Sequence, residues 1–530
     1  MLTLLRSFST RNRIWLLLLL CPPAYLINLH LAAFTGDEAI RALVAYEMAL
    51  SDNYVATTIH GASYINKPPL FNWLVLCAFK LYGAVNELPS RLVTLCFLVV
   101  FTVGVFRVVR RELGFDMGIL TAFSVATSGR FLFYDAMLGL IDTTFSAVVY
   151  FGMMSLYAYG KRDKPWAFFL VSYALMAVGF MLKGLPAVVF QGITLLVACW
   201  FFDRLRWLFS VKHAVGIALA AVVVGAWLWW YAQYRPLEVL LPNLLHESAK
   251  RTVVAYSWSR FFKHLYEFPY KQLYHFLPWS LLLVCLFDRH VRTRLQVPFV
   301  RYNALVLLAN LPLYWTSVHV EPRYLLMFVP LFNTVGLYLL AQHQRERSVH
   351  FTVVYGVWGA LLVLISIACA ALPFVPAVQY LGYVWYVGPL AALALGVLAA
   401  LYFTDGNGFL WWFIGALLVV RIVFDLVVLQ ARHDESITTR ARADVRALAD
   451  KYRDRNWYVY GDAYIREPAS FYFTQRLGRI IPRTTDSTLT RALYLVNPED
   501  TTARPGVLLD SLQTDYSNLN LYLYGNDGKR

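Results

Sequence analysis

The chain has 530 residues, of which 59% are hydrophobic and 15% charged, and its mean hydropathy is +0.52. A soluble protein of this length carries more charge, so the composition excludes a soluble globular fold and implies a polytopic α-helical membrane protein. The formal net charge of +15 is spread over short loops with no single basic patch, which fits contact with membrane lipids and argues against nucleic acid as a partner.

Apolar runs of spanning length, roughly 17–25 residues, recur along the chain. The first, "IWLLLLLCPPAYLINLHLAAF", is long, lacks a small-residue cleavage site and is followed by many more, so it reads as a retained span. Spans are expected near 14–34, 90–110, 116–134, 142–159, 165–182, 184–202, 212–233, 276–288, 298–316, 323–342, 351–372, 380–402 and 409–430, about thirteen in all. Basic clusters such as Arg107/Arg110/Arg111, Lys161/Arg162/Lys164 and Arg204/Arg206/Lys212 punctuate them. Short Lys/Arg-rich loops stay cytoplasmic, which predicts a plasma (inner) membrane protein with a cytoplasmic N-terminus and its C-terminal part outside, in the periplasm.

Within 35–89, acids at Asp37 and Glu38 suit the first turn of a helix over 37–50. "PPLFNWLVLCAFKLYG" (68–83) is too short to cross a bilayer and reads as an interface helix. The loop 234–275 is long, amphipathic and external. Residues 1–430 thus form the membrane domain. The tail 431–530 changes to mixed charge and short alternating runs, an α/β pattern for a small external domain whose first helix covers 437–452. All six cysteines lie in hydrophobic stretches without metal-ligand spacing, so no disulfide framework or zinc cluster is expected.

Under this topology the unusual charges converge on the outer side: Asp37 and Glu38 after span one, Lys67 before Pro68-Pro69, Asp135 and Asp142 in one hairpin, Lys183 in another, His246, Glu247 and Arg251 in "HESAKR", and Arg323 in "EPRYLL". Ionisable groups at membrane depth are costly and usually functional. Bland readings stand beside this. Asp135 and Asp142 also suit helix caps, Lys183 suits snorkelling to headgroups, and Glu47 and Asp52 read as solvated surface. Carboxylates and cations at one interface suit group transfer from a lipid phosphate: the cations stabilise the leaving phosphate, and a carboxylate, or a metal it holds, activates an acceptor hydroxyl. No Walker pattern and no GxGxxG after a strand supports a nucleotide-driven reaction. A flippase or transporter of lipid-linked sugars is the alternative; it predicts mid-membrane charges and a repeat between halves, neither of which the sequence displays.

"GDE" in the first external loop, a segment ending "YINKPP", and then "YDAMLGLIDTTF", "KGLPAVV", "LLHESAKR", "FLPWSLLL" and "RYLLMFVPLF" in order resemble the GT-C glycosyltransferases of the aminoarabinose transferase and protein O-mannosyltransferase group. The resemblance implies a sugar on a polyprenyl phosphate as donor and a glycolipid, glycan or protein as acceptor. It implies Asp37 as the key carboxylate with Glu38 beside it, and Lys67 and Arg251 as holders of the donor phosphate; the charges converging on the outer side add Asp142 and Asp135 as further catalytic candidates and Lys183 and Arg323 as further phosphate holders. It puts His246 or Glu247 at a polar site near a possible divalent metal, for which Asp37 and His246 are the candidate ligands; Tyr64, in the segment ending at Lys67, is a further candidate beside the acceptor or metal. Asn66 stands where the aminoarabinose transferases carry an acid.

Overall fold

A computed structural model describes residues 9–249, 257–318, 320–497, 504–514 and 520–526. The membrane body is a helical bundle. Among the described residues seven helices are long and apolar enough to cross a membrane: Glu87–Leu113, Pro165–Lys183, Val211–Ala232, Pro322–Glu346, Val349–Phe374, Val384–Thr404 and Phe409–Glu435. Helices Thr10–Leu26, Phe115–Ala126, Ile141–Lys161, Pro186–Phe201 and Pro298–Trp315 pack among them.

Three expected spans take a different form. The run 14–34 is helical only as far as Leu26, after which the chain turns. The run 276–288 folds as a 3₁₀ helix over Trp279–Phe287. It is apolar because Trp279, Leu282 and Cys285 are buried in protein, not because it faces lipid. The run 116–134 breaks after Ala126. The Thr127 hydroxyl turns back to donate to the Phe123 carbonyl at 2.7 Å, and Gly129 packs so closely on the Leu277 carbonyl that a Cβ would sit 2.6 Å from its oxygen. The chain there bends into a short helix, Gly129–Phe133, and a 3₁₀ turn, Asp135–Met137.

The segment expected to be a helix over 37–50 is one, Gly36–Ser51, and 68–83 contains the 13-residue helix Leu70–Tyr82. At about 1.5 Å per residue the latter is well short of a bilayer core. Between them lies a small hairpin, β1 (Thr58–Ile59) with β2 (Ala62–Ser63). Glu47 corrects the surface reading. It is fully buried and accepts from Thr58 Oγ1 at 2.7 Å, the His60 amide at 2.6 Å and the Gly61 amide at 3.3 Å, so it pins the hairpin.

The tail begins with helix Ile437–Lys451 and forms a mixed five-stranded sheet of order β4-β3-β5-β7-β6. These strands are β3 (Asn456–Tyr460), β4 (Arg483–Thr484), β5 (Ala492–Val496), β6 (Val507–Gln513) and β7 (Asn520–Asn526). β3 runs parallel to β4 and β5, while β7 is antiparallel to β5 and β6. Helix Glu467–Leu477 docks this domain on the bundle: Phe471 meets Phe34 edge to face at 4.8 Å, and the Tyr472 hydroxyl bridges the Phe34 amide (2.8 Å) and Glu87 (2.6 Å). The domain therefore sits at the bundle end that holds Asp37 and Asp142. At the opposite end, Lys161–Glu112, Arg204–Asp163 and Arg13–Asp405 tie the basic loops.

Candidate active site at the domain-covered end of the bundle

Helix ends build the site. Asp37 lies in the first turn of Gly36–Ser51 and Asp142 in the first turn of Ile141–Lys161, where the helix dipole favours an anion. Lys183 is the last residue of Pro165–Lys183, where the dipole favours a cation. The two latter helices are antiparallel neighbours, so the acid end of one meets the basic end of the next. Gly184, at φ +80°, turns the chain sharply there.

Lys183 Nζ donates to Asp142 Oδ1, with both side chains buried, and lies 3.9 Å from the centre of the Tyr324 ring. Arg323, at the start of the 3₁₀ turn Pro322–Phe328, bridges the carboxylates: Nη2 is 2.7 Å from Asp37 Oδ2 and Nε is 3.4 Å from Asp142 Oδ2. The Asp37 side chain keeps 40% of its exposure, against 4% for Asp142. Asp37 is thus the carboxylate open to a substrate. Arg41 donates to the Tyr64 hydroxyl and stacks on its ring at 5.3 Å.

Lys67 completes the group. Pro68-Pro69 stiffens the chain between it and helix Leu70–Tyr82. Among the described residues its ammonium has no ion-pair or hydrogen-bond partner. Burial, with Arg41 and Lys183 nearby and Asp142 and Asp37 only partly compensating, pushes its pKa down to about 7. Four cations (Lys67, Lys183, Arg323, Arg41) thus face two carboxylates (Asp37, Asp142). That imbalance suits a phosphate.

The other expected residues are placed as follows. Glu38 is buried and its acceptor capacity is filled: Oε1 takes the Thr35 amide (3.1 Å) and Arg91 Nη2 (2.9 Å), and Oε2 takes Arg91 Nε (3.3 Å) and the Gly139 amide (2.9 Å). The catalytic expectation for Glu38 is corrected on that ground: it ties the loop before Asp37 to the hairpin before Asp142. Asp135 is buried in a two-pronged pair with Arg130, at 2.6 and 2.8 Å, behind Asp142. Tyr64 lines the group through Arg41. His246 and Glu247 fall on helix Leu237–Ala249; Arg251 lies outside the described residues. Of the two candidate metal ligands, Asp37 is described and the side chain of His246 lies outside the described ones. Asp37 and Asp142 are already held by cations, and no cluster of three His, Cys, Asp or Glu exists among the described residues.

Arg91 and Arg41 were missed as partners, although an arginine inside the apolar run 90–110 is itself a signal. An apolar cavity of about 300 Å³ is lined by Phe276, Leu283, Leu311, Leu325, Phe328 and Phe332. Its wall begins on the turn that carries Arg323.

Residues 66–230 match the model of the family described as "Dolichyl-phosphate-mannose-protein mannosyltransferase". An uncharacterized protein of Aquifex aeolicus (strain VF5) is 26% identical over 313 residues, 57% of this chain and 59% of that protein. The match therefore spans less than two thirds of that relative's length. The crystal structure of ArnT from Cupriavidus metallidurans bound to undecaprenyl phosphate superposes with a TM-score of 0.67 at 17% identity, covering 97% of this chain and 98% of that one. The apo structure of the same protein gives 0.68 at 15% identity over the same shares. Along nearly its whole length the chain has the fold of ArnT, and over 66–230 it carries the sequence pattern of the dolichyl-phosphate-mannose-protein mannosyltransferase family.

Proposed function

We propose that the protein is an integral-membrane glycosyltransferase that moves a sugar from a polyprenyl-phosphate donor to a hydroxyl acceptor on a glycolipid, a glycan or a protein. The observation that carries this is Lys67: an ammonium without a partner among the described residues, beside two cations and an accessible carboxylate. Undecaprenyl phosphate bound to ArnT, a protein of the same fold, supports the donor class. Lys67 takes the phosphate, with Lys183 and Arg323 behind it and Arg251 as a further candidate. The apolar cavity walled in part by the turn that carries Arg323 suits an isoprenoid chain.

Asp37 accepts the acceptor's hydroxyl proton. The acceptor oxygen then bonds to the anomeric carbon as the carbon–oxygen bond to phosphate breaks. Polyprenyl phosphate leaves with that electron pair, its added charge held by the cations. The full topology of about thirteen spans, with the N-terminus cytoplasmic and this site and the tail domain outside, belongs to the same proposal. His246 and Glu247 are proposed beside the acceptor, with Tyr64 positioning it through Arg41.

The test is transfer by the purified protein from a polyprenyl-phosphate hexose or pentose to extracted envelope lipids, glycans and proteins, followed by mass spectrometry. Sugar-bearing product with stoichiometric polyprenyl phosphate supports the reading. Intact donor across all acceptor fractions, with the protein folded and the donor bound, refutes it.

A further inference from the structure

One buried ion pair lies away from the transfer chemistry. Arg421 Nε is 2.8 Å from Asp425 Oδ2, with exposures of 1% and 0%, where helix Phe409–Val423 passes into a π-helical turn over Phe424–Val428. Ionisable residues in an apolar span are costly, and π turns are rare and recur at functional places. The pair is not optimised for stability either. Asp425 Oδ1 has no hydrogen-bond partner among the described residues, and apolar side chains of similar volume often replace such pairs without loss.

What the guanidinium does is join three parts of the chain. It donates to the Ala24 carbonyl at 2.9 Å near the end of the first helix, to Asp425, and to the Leu132 carbonyl. Asn28 Nδ2 in turn donates to the Asp425 carbonyl at 2.9 Å, and the Tyr25 hydroxyl to the Ala126 carbonyl at 2.7 Å. Leu132 sits at the end of a five-residue helix, where the last carbonyls lack a helical donor. A buried carbonyl must be paired, and only a planar, multi-donor group spans these partners at once. The same short segment carries Arg130, which holds Asp135 by two hydrogen bonds behind the Asp142–Arg323 wall of the site. Its other side is fixed by the Gly129 amide on the Leu277 carbonyl at 2.8 Å and by Trp279 Nε1 on Thr127.

We infer that Arg421 and Asp425 are positioning residues: they hold the segment 126–137 in place and, through Arg130–Asp135, set the geometry of the Asp142–Arg323 wall. The inference rests on the transferase reading only for its activity readout.

The experiment compares the wild type with Arg421→Leu/Asp425→Leu, which removes both charges together, and with Arg421→Lys, which keeps the ion pair but loses the planar fork. In both variants, amide hydrogen exchange over 127–137 should be faster than in the wild type, while helix Ile141–Lys161 keeps its protection. kcat should fall about 10- to 100-fold, as a misplacement near 1 Å implies. KM for the donor should hold, because Lys67 is untouched. Wild-type exchange over 127–137 in Arg421→Lys overturns the inference whether or not transfer is detected. Wild-type kcat in either folded variant overturns it as well. A wild-type protein that binds donor and transfers nothing refutes the transferase reading instead, and leaves the exchange result to judge this one.

Discussion

The state of Lys67 makes a quantitative prediction about pH. Its pKa of about 7 reflects burial and the neighbouring Arg41 and Lys183, with Asp142 and Asp37 pulling the other way. A phosphate seated on it favours the ammonium and returns the pKa toward the ordinary value of about 10.4. Above pH 7 the empty site has largely lost that proton and must regain it to bind. Affinity for a phosphodiester donor should therefore fall with pH, approaching tenfold per unit (about 1.4 kcal/mol) well above the pKa, and so by about 50-fold between pH 7 and 9. The probe must be a diester, because a phosphate monoester ionises again near pH 6 and would blur the slope. Titration of a fluorescent polyprenyl-phosphate hexose at fixed ionic strength reads it directly. Lys67→Arg keeps a charge throughout and should flatten the profile. Lys67→Ala should be flat and about 10- to 150-fold weaker at pH 7, from the loss of one charged partner worth about 1.5–3 kcal/mol. The stability of the empty protein runs the opposite way. With the folded pKa depressed, the unfolded chain binds more protons between pH 7 and about 10.4, so the contribution of Lys67 to stability rises with pH across that window. A wild-type affinity that is level from pH 7 to 9, or a slope that survives in Lys67→Arg, would refute the assignment of Lys67 to the phosphate.

Asp37→Asn should lower transfer by about 10²- to 10⁴-fold with unchanged thermal stability and donor affinity, since Asn serves a helix start about as well; full transfer returns Asp37 to a capping role. Glu38→Gln should instead destabilise by about 3–5 kcal/mol, because it leaves Arg91 buried without its counter-charge; thermal denaturation checks this, and a wild-type midpoint would count against it. In a cysteine-free background, cysteines at Ser63 and Asp434 should react with a membrane-impermeant thiol reagent in intact cells and one at Arg162 should not. The reverse pattern would sink the external site.

Much of the architecture was legible in one dimension. Lipid demands long apolar helices, and seven of them stand where apolar runs predicted spans. Helices Gly36–Ser51 and Ile437–Lys451 begin and end within a residue or so of their expected limits, because acids after a turn and a 3.6-residue pattern are local signals. Charges out of place in an apolar chain marked Asp37, Lys67, Asp142, Lys183 and Arg323, and the fold gathers these five. What the sequence left open was how each charge is satisfied. Asp37 and Glu38 are neighbours with the same chemistry, yet one opens to the site and the other is closed by Arg91 and the Gly139 amide. That difference depends on a hundred degrees of helix rotation per residue and on a partner 53 residues away in sequence. Glu47 was buried by a hairpin too short to announce itself. The run 276–288 is apolar whether lipid or protein surrounds it, so hydropathy could not separate a span from the buried 3₁₀ helix that formed. Composition and local pattern determine where the chain enters the membrane and which residues are costly there. Only tertiary packing decides which of those costs are neutralised by an ion pair and which, as at Lys67, are left without a partner among the described residues.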